Sequence, residues 1–134
     1  MSTQKSKNIN WNKKREDWIS AVNDLFDEIK KWSKSKNWPV DVQQKDISEP
    51  YIGQYKISAL FIQSPNGTIH VDPIGCNIIG AEGRVDILSF PSLNRVLLIR
   101  INNKWQVKTD SRIDWPQPWN EATFLGLVNR LTSI

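Results

Sequence analysis

The chain has 134 residues, 39% of them apolar and 24% charged, which is the length of one ordinary domain and the composition of one that can bury a core. No apolar run approaches the roughly 20 residues that span a bilayer. The polar start Met1-Ser-Thr-Gln-Lys-Ser-Lys-Asn8 lacks a signal-peptide core, so a single cytoplasmic domain is expected, with residues 1–8 disordered. The net charge of +4 lies wholly in residues 1–36, which hold nine Lys/Arg against five Asp/Glu. A dedicated nucleic-acid domain usually shows a stronger bias. The lone Cys76 leaves neither a disulfide framework nor a Cys-based metal site.

The first element is a helix from about Trp11 to Ser35. Trp18, Val22, Leu25, Ile29 and Trp32 recur at steps of four and three, and Ile19 and Phe26 broaden the stripe into one buried face. Trp38-Pro39 stops it, because the residue before proline is driven out of helical dihedrals. The repeat is too short for a coiled coil, so the helix is expected to pack across a sheet.

From Pro39 to Thr109 the pattern is that of strands. An extended piece near Val40–Ile47 leads to a turn at Glu49-Pro-Tyr-Ile-Gly53, and Tyr55, Ile57, Ala59 and Phe61 then alternate at strand period. Ser64-Pro-Asn-Gly67 predicts a hairpin into Thr68–Ile74. Residues 75–83, with three glycines, form an irregular crossing. Arg84–Phe90, Arg95–Asn102 and Trp105–Thr109 follow as strands, and the short connections imply an antiparallel meander. Val96-Leu-Leu-Ile99 is apolar throughout, which predicts a central strand covered on both faces. A loop rich in proline and tryptophan, Asp110–Asn120, precedes a last helix capped by Asn120, with Phe124, Leu127, Val128 and Leu131 on one side.

The residues able to carry chemistry are few. His70 is the only histidine, in a strand with Asp72 on the same face; a single histidine does not build a zinc site, and a hydrogen-bonded strand histidine is the simpler reading. Cys76 reads as a small buried apolar residue before it reads as a nucleophile. Gly75-Cys-Asn-Ile-Ile-Gly-Ala-Glu-Gly83 lacks Gly-Lys-Ser/Thr and the following helix, so its glycines mark a bend rather than a phosphate loop.

Gly83-Arg-Val-Asp-Ile-Leu-Ser-Phe90 followed by Arg95-Val-Leu-Leu-Ile-Arg100 resembles the metal-dependent nuclease fold built around a PD-(D/E)xK motif. The resemblance implies that carboxylates hold Mg²⁺, which activates water. Asp86 fits the first acidic position and Glu28 the carboxylate contributed by a helix. The expected acidic-x-Lys triplet reads Leu98-Ile-Arg100 instead, and the shifted Gln106-Val-Lys108 replaces the carboxylate with an amide. A second stretch, Gly80-Ala-Glu-Gly-Arg-Val-Asp86, Leu93-Asn-Arg-Val-Leu-Leu98 and Trp115-Pro-Gln-Pro-Trp119, resembles small uncharacterised bacterial proteins, which implies a fold and no activity.

Trp11, Trp18, Trp32 and Trp105 read as core. Trp38, Trp115 and Trp119 adjoin prolines, where a rigid backbone either presents an aromatic face to a partner or closes the end of the core. Lys30, Lys31, Lys34 and Lys36 complement the helix C-terminus. Lys13, Lys14 and Arg15 stand near the helix N-terminus, where the dipole disfavours cations, and are therefore the better candidates for an anionic partner.

The sequence thus predicts an α+β domain, with an N-terminal amphipathic helix packed on an antiparallel sheet of five or six strands and a short C-terminal helix. The function it points to is a non-enzymatic accessory module that binds a macromolecular partner. That partner is a larger protein, or a nucleic acid through the basic N-terminal helix, with no membrane and no cofactor. Lys13, Lys14, Arg15, Arg112, Trp115 and Trp119 are the candidate contact residues. The alternative is a divergent nuclease using Glu28, Asp86, Gln106 and Lys108 with Mg²⁺.

Overall fold

A computed structural model describes residues 9–108 and 117–133, with only the backbone of Gln117. In chain order the elements are α1 (Trp11–Ser35), β1 (Val40–Glu49), β2 (Gly53–Ser64), β3 (Gly67–Gly75), β4 (Gly83–Phe90), β5 (Arg95–Ile101), β6 (Lys104–Lys108), a two-residue β7 (Gln117–Pro118) and α2 (Glu121–Leu131). All neighbours pair antiparallel and the strands lie in sequence order, so the sheet is the expected meander. The expected disorder of residues 1–8 and most of the 110–120 loop fall outside the described residues.

Helix α1 starts where Asn10 accepts the Lys13 N–H on its side-chain oxygen at 3.0 Å, satisfying a donor with no partner inside the helix. It ends when Asn37 takes a left-handed conformation (φ 60°), which lets the Trp38 N–H return to the Ser33 carbonyl at 2.9 Å. The expected stripe is buried: Trp18, Val22, Leu25, Phe26 and Ile29 are sealed from solvent, while Trp11, Ile19 and Trp32 are half-buried. Each fully buried side chain of this size contributes about 1.5–3 kcal/mol, several times the value of an exposed ion pair on the same helix. Packing therefore holds α1 in place.

Strand register sorts the sheet into two faces. The rows Leu60–Val71–Ile87–Val96 and Pro73–Val85–Leu98–Val107 run across four strands each and are buried throughout. Both helices cover this face. The Trp18 ring of α1 lies against Gly83 of β4 and tilts on Trp105 of β6 at 5.9 Å. The end of α2 is held by the β4–β5 turn, because Ser89 Oγ, Ser92 Oγ and Asn94 Nδ2 all donate to the Leu131 carbonyl at 2.6–2.8 Å. Among the described residues the opposite face has no helix on it, and this corrects one expectation. In β5, Val96 and Leu98 are buried but Leu97 and Ile99 are only half-buried, so the strand is covered on one side. A continuous apolar run did not require two covering layers here.

In β2 the buried parity switches midway: Tyr55, Ile57 and Ala59 are buried, then Leu60 and Ile62. The switch has a geometric cause. Residues 53–59 of β2 pair only with β1, beyond the reach of β3, and two-stranded ribbons twist more strongly than wide sheets. The outer half of the β1–β2 hairpin thus turns its other side inward, where Glu49 meets the crossing that follows β3.

Candidate functional site

The uncovered face carries a band of charge. Register places Asp72 directly opposite Asp86, an arrangement that is destabilising unless each carboxylate is neutralised. Each has its own cation. Lys45 Nζ donates to Asp72 Oδ1 at 2.6 Å and to the Pro73 carbonyl at 2.9 Å. The Arg84 guanidinium grips both Asp86 oxygens at 2.7 and 3.0 Å, with Arg95 at 3.9 Å. Hydrogen bonding to Asp86 raises the Arg84 pKa further above its already high value. His70, in the adjoining row, stacks on Phe61 with centroids 4.2 Å apart and planes within 6°. Burial lowers its pKa, opposed by Asp72 and reinforced by Lys45, which favours the neutral imidazole. It is 4.0 Å from Asp72.

The residues of the nuclease constellation fall on two sides of the sheet. Asp86, Leu97 and Lys108 form one cross-strand row, so Lys108 shares the face of Asp86 two strands away, about 10 Å by strand spacing. Glu28 stands on α1, on the other side. It lines a cleft of about 420 Å³ with Lys104, Trp105, Gln106, Pro118 and Trp119. Sheet and helix thus separate Glu28 from Asp86. Asp86 is 5% exposed and both of its oxygens already face a guanidinium, which is a poor donor set for Mg²⁺. Among the described residues no three His, Cys, Asp or Glu side chains converge as a metal site would need.

The basic triplet is only partly available. Lys13 pairs with Asp17 at 2.7 Å and Arg15 with Glu16 at 3.4 Å. Lys14 sits over the Trp11 ring, 5.5 Å from its centroid. An open cleft of about 560 Å³ beside α1 brings Lys13, Lys14 and Arg100 together with Asp17, Asp24 and Glu82. Its charges balance, unlike an electropositive groove for a phosphate backbone.

Of the tryptophans flanked by proline, Trp38 and Trp119 close the core. Trp119 packs on Trp32 at 5.5 Å and on Phe124 at 5.8 Å, and Trp38 packs on Phe124 at 6.4 Å. Arg112 and Trp115 lie outside the described residues.

The sequence reading missed Tyr51. It occupies the β1–β2 turn at φ 67°, a conformation unusual for a bulky residue, and is 78% exposed. Its ring stacks on Trp11 at 5.2 Å and 18°, so Tyr51, Trp11 and Lys14 form a continuous layer. Ile9 lies just before α1, and the fully exposed Ile79 lies on the crossing that Asn77 ties to the Pro50 carbonyl at 3.2 Å. The signal was an aromatic residue beside Pro50 in a turn, but nothing local showed that Trp11 would meet it.

Beneath this end of the molecule Glu49 organises a buried cluster. Its carboxylate accepts the Cys76 N–H at 3.1 and 3.2 Å, the Asn77 N–H at 2.8 Å and the Tyr55 hydroxyl at 2.5 Å. Burial, then the Glu49 charge, pushes the Cys76 thiol up to about 12, leaving it inert as a nucleophile. Burial and Glu49 likewise raise the Tyr55 pKa. No helix among the described residues is long and apolar enough to cross a membrane. Comparison with protein-family models, curated proteins and solved structures finds no match to this chain.

Proposed function

We propose that this chain is a non-enzymatic binding module whose partner is a protein, engaged at the end of the domain formed by the β1–β2 turn and the start of α1. The observation that carries the reading is the Tyr51–Trp11 stack. An aromatic residue in a left-handed turn conformation costs about 1–3 kcal/mol locally, and here it holds a large apolar ring toward solvent. Tyrosine and tryptophan are the residues that dominate protein-interface hot spots. The exposed Ile9 precedes Trp11 by two residues and the exposed Ile79 lies on the crossing tied to Pro50, and the balanced charges of the neighbouring cleft favour a polypeptide over a polyanion. The nuclease reading draws support from the shared row of Asp86 and Lys108, and is weakened by the guanidinium on Asp86 and by the position of Glu28.

The test is site-specific photocrosslinking in the native cell, with a benzophenone amino acid at Tyr51 or, as a control, at the exposed Lys31. The expected result is a discrete polypeptide adduct at Tyr51 alone, insensitive to nuclease and lost when Trp11→Ala is added. Equal adducts at both positions, or a nuclease-sensitive adduct, would reject a protein partner at this end.

A further inference from the structure

We infer that β1 is a dimerisation edge, on which a second copy of this chain adds its own β1 antiparallel about a two-fold axis at Gln43. The edge is open: β1 pairs with β2 on one side, and among the described residues no strand pairs with the other. It is also long for an edge. Ten residues pair with β2 in unbroken register, without proline or bulge, and Asp41 to Gln44 are exposed. Lysine is a usual guard against strand addition, but Lys45 is drawn across its own sheet to Asp72 and Pro73.

Backbone direction limits the registers available. The Gln63 N–H donates to the Pro39 carbonyl at 2.9 Å, which fixes odd-numbered residues of this strand as the ones bonded to β2. Val40, Val42, Gln44, Asp46 and Ser48 therefore turn their N–H and carbonyl groups outward. Self-pairing must place even residues opposite even residues, so the axis passes through a residue and not between two.

Charge and strand length then select among these registers. An axis at Ile47 would also oppose unlike charges, Lys45 and Glu49, but it runs Gln44 onto Pro50 past the end of the strand, and Glu49 is already held by the Cys76 and Asn77 N–H groups. An axis at Lys45 sets Lys45 against itself and Asp41 against Glu49. An axis at Asp46 opposes two aspartates. Axes at Val42 or Gln44 bring no opposite charges together. An axis at Gln43 pairs Asp41 with Lys45 of the second copy, twice by symmetry, and lays the two Gln43 amides side by side. The hydrogen-bonded pairs are then Val42 with Gln44 and Val40 with Asp46, and each of these residues has the N–H that the ladder needs. Lys45 can serve both partners. An ammonium has three donors, two of which go to Asp72 and Pro73, leaving one for the incoming Asp41. Val42, 42% exposed in the single chain, gains cover from Gln44 of the second copy.

The experiment measures mass by sedimentation equilibrium on the full chain up to roughly 1 mM, a range that detects weak association. A monomer–dimer equilibrium is expected. Val42→Pro should shift it to monomer, with a melting temperature unchanged in dilute solution where both chains are monomers, since proline there removes only an outward N–H. Asp41→Lys, which opposes lysines across the axis, should do the same. Under mild oxidation Gln43→Cys should form a disulfide-linked dimer while Gln44→Cys does not, because only residue 43 meets itself across the axis, and the buried Cys76 gives no background. A chain that stays monomeric throughout, a dimer unaffected by Val42→Pro, or linkage through position 44 in preference to 43 would overturn the inference.

Discussion

The Glu49 carboxylate accepts the Cys76 backbone N–H with both oxygens, at 3.1 and 3.2 Å, and so fastens the far end of the β1–β2 hairpin to the crossing that leaves β3. The same carboxylate holds the Tyr55 hydroxyl and approaches the Cys76 sulfur. Both of those acids are buried and their pKa values raised, Cys76 from 9.0 to about 12 and Tyr55 above 10.0. The folded state keeps these protons where the unfolded chain releases them. Stability from this source is complete below pH 9 and is lost as pH rises toward the folded values, at about 1.4 kcal/mol per pH unit for each proton. Urea unfolding at intervals from pH 7 to 11 should show the decline, and Tyr55→Phe with Cys76→Ala should flatten it. A level profile in the parent chain would contradict the burial of this cluster.

Gly83 tests the packing of α1 on the sheet. A Cβ at this position would overlap the Trp18 ring, and a fully buried indole has little room to withdraw. Gly83→Ala should lower stability by about 1–3 kcal/mol, the usual cost of an overpacked core. Pairing it with Trp18→Leu should recover part of that loss, so the two changes are not additive. Additivity in a denaturation cycle would mean that α1 does not sit on β4 at this point.

Most of this fold is legible in the sequence because its periodicities are clean. The α1 stripe, the Ser64–Gly67 turn, the strand order and the Asn120 cap all follow from spacing and turn chemistry, and the structure has each of them. What sequence could not supply were relations between distant segments. The parity switch in β2 depends on where β3 stops pairing, and the single covered face of β5 depends on both helices choosing the same side. The site was less legible for the same reason. Lys13, Lys14 and Arg15 were visible as a triplet, but the Tyr51–Trp11 stack joins residues 40 positions apart, and the clamp of Arg84 on Asp86 depends on side-chain direction within one strand.

Asp86 separates a structural role from a catalytic one. Asp86→Ala removes the acceptor of two charged hydrogen bonds and leaves the Arg84 guanidinium without its partner on a half-buried face. A loss of about 1.5–3 kcal/mol is expected, read from urea unfolding. Parent and variant should be equally inactive on single- and double-stranded nucleic acid with Mg²⁺ or Mn²⁺. Metal-dependent cleavage by the parent that disappears in a folded Asp86→Ala chain would restore the nuclease reading.

The remaining question is whether the basic start of α1 touches phosphates, and replacing Lys13, Lys14 and Arg15 together with Ala answers it. Every side chain that neutralises a phosphate adds about 0.9 to the slope of log K against log[salt] on duplex and about 0.7 on single strands, so if all three do so the substitution should remove more than two units. The structure argues for a smaller effect. Lys13 already faces Asp17 and Arg15 faces Glu16, and the cleft beside them holds as many acids as bases. The variant should also fold at least as well as the parent. An exposed ion pair at this spacing contributes about 0.3–0.5 kcal/mol, while removing cations from the positive end of the helix dipole returns a similar amount. The expectation is therefore negligible nucleic-acid binding at low salt for both chains, or binding whose slope the substitution leaves unchanged. A slope that falls by about two units or more, with melting temperature preserved, would make a polyanion the partner of this helix end in place of a protein at Tyr51.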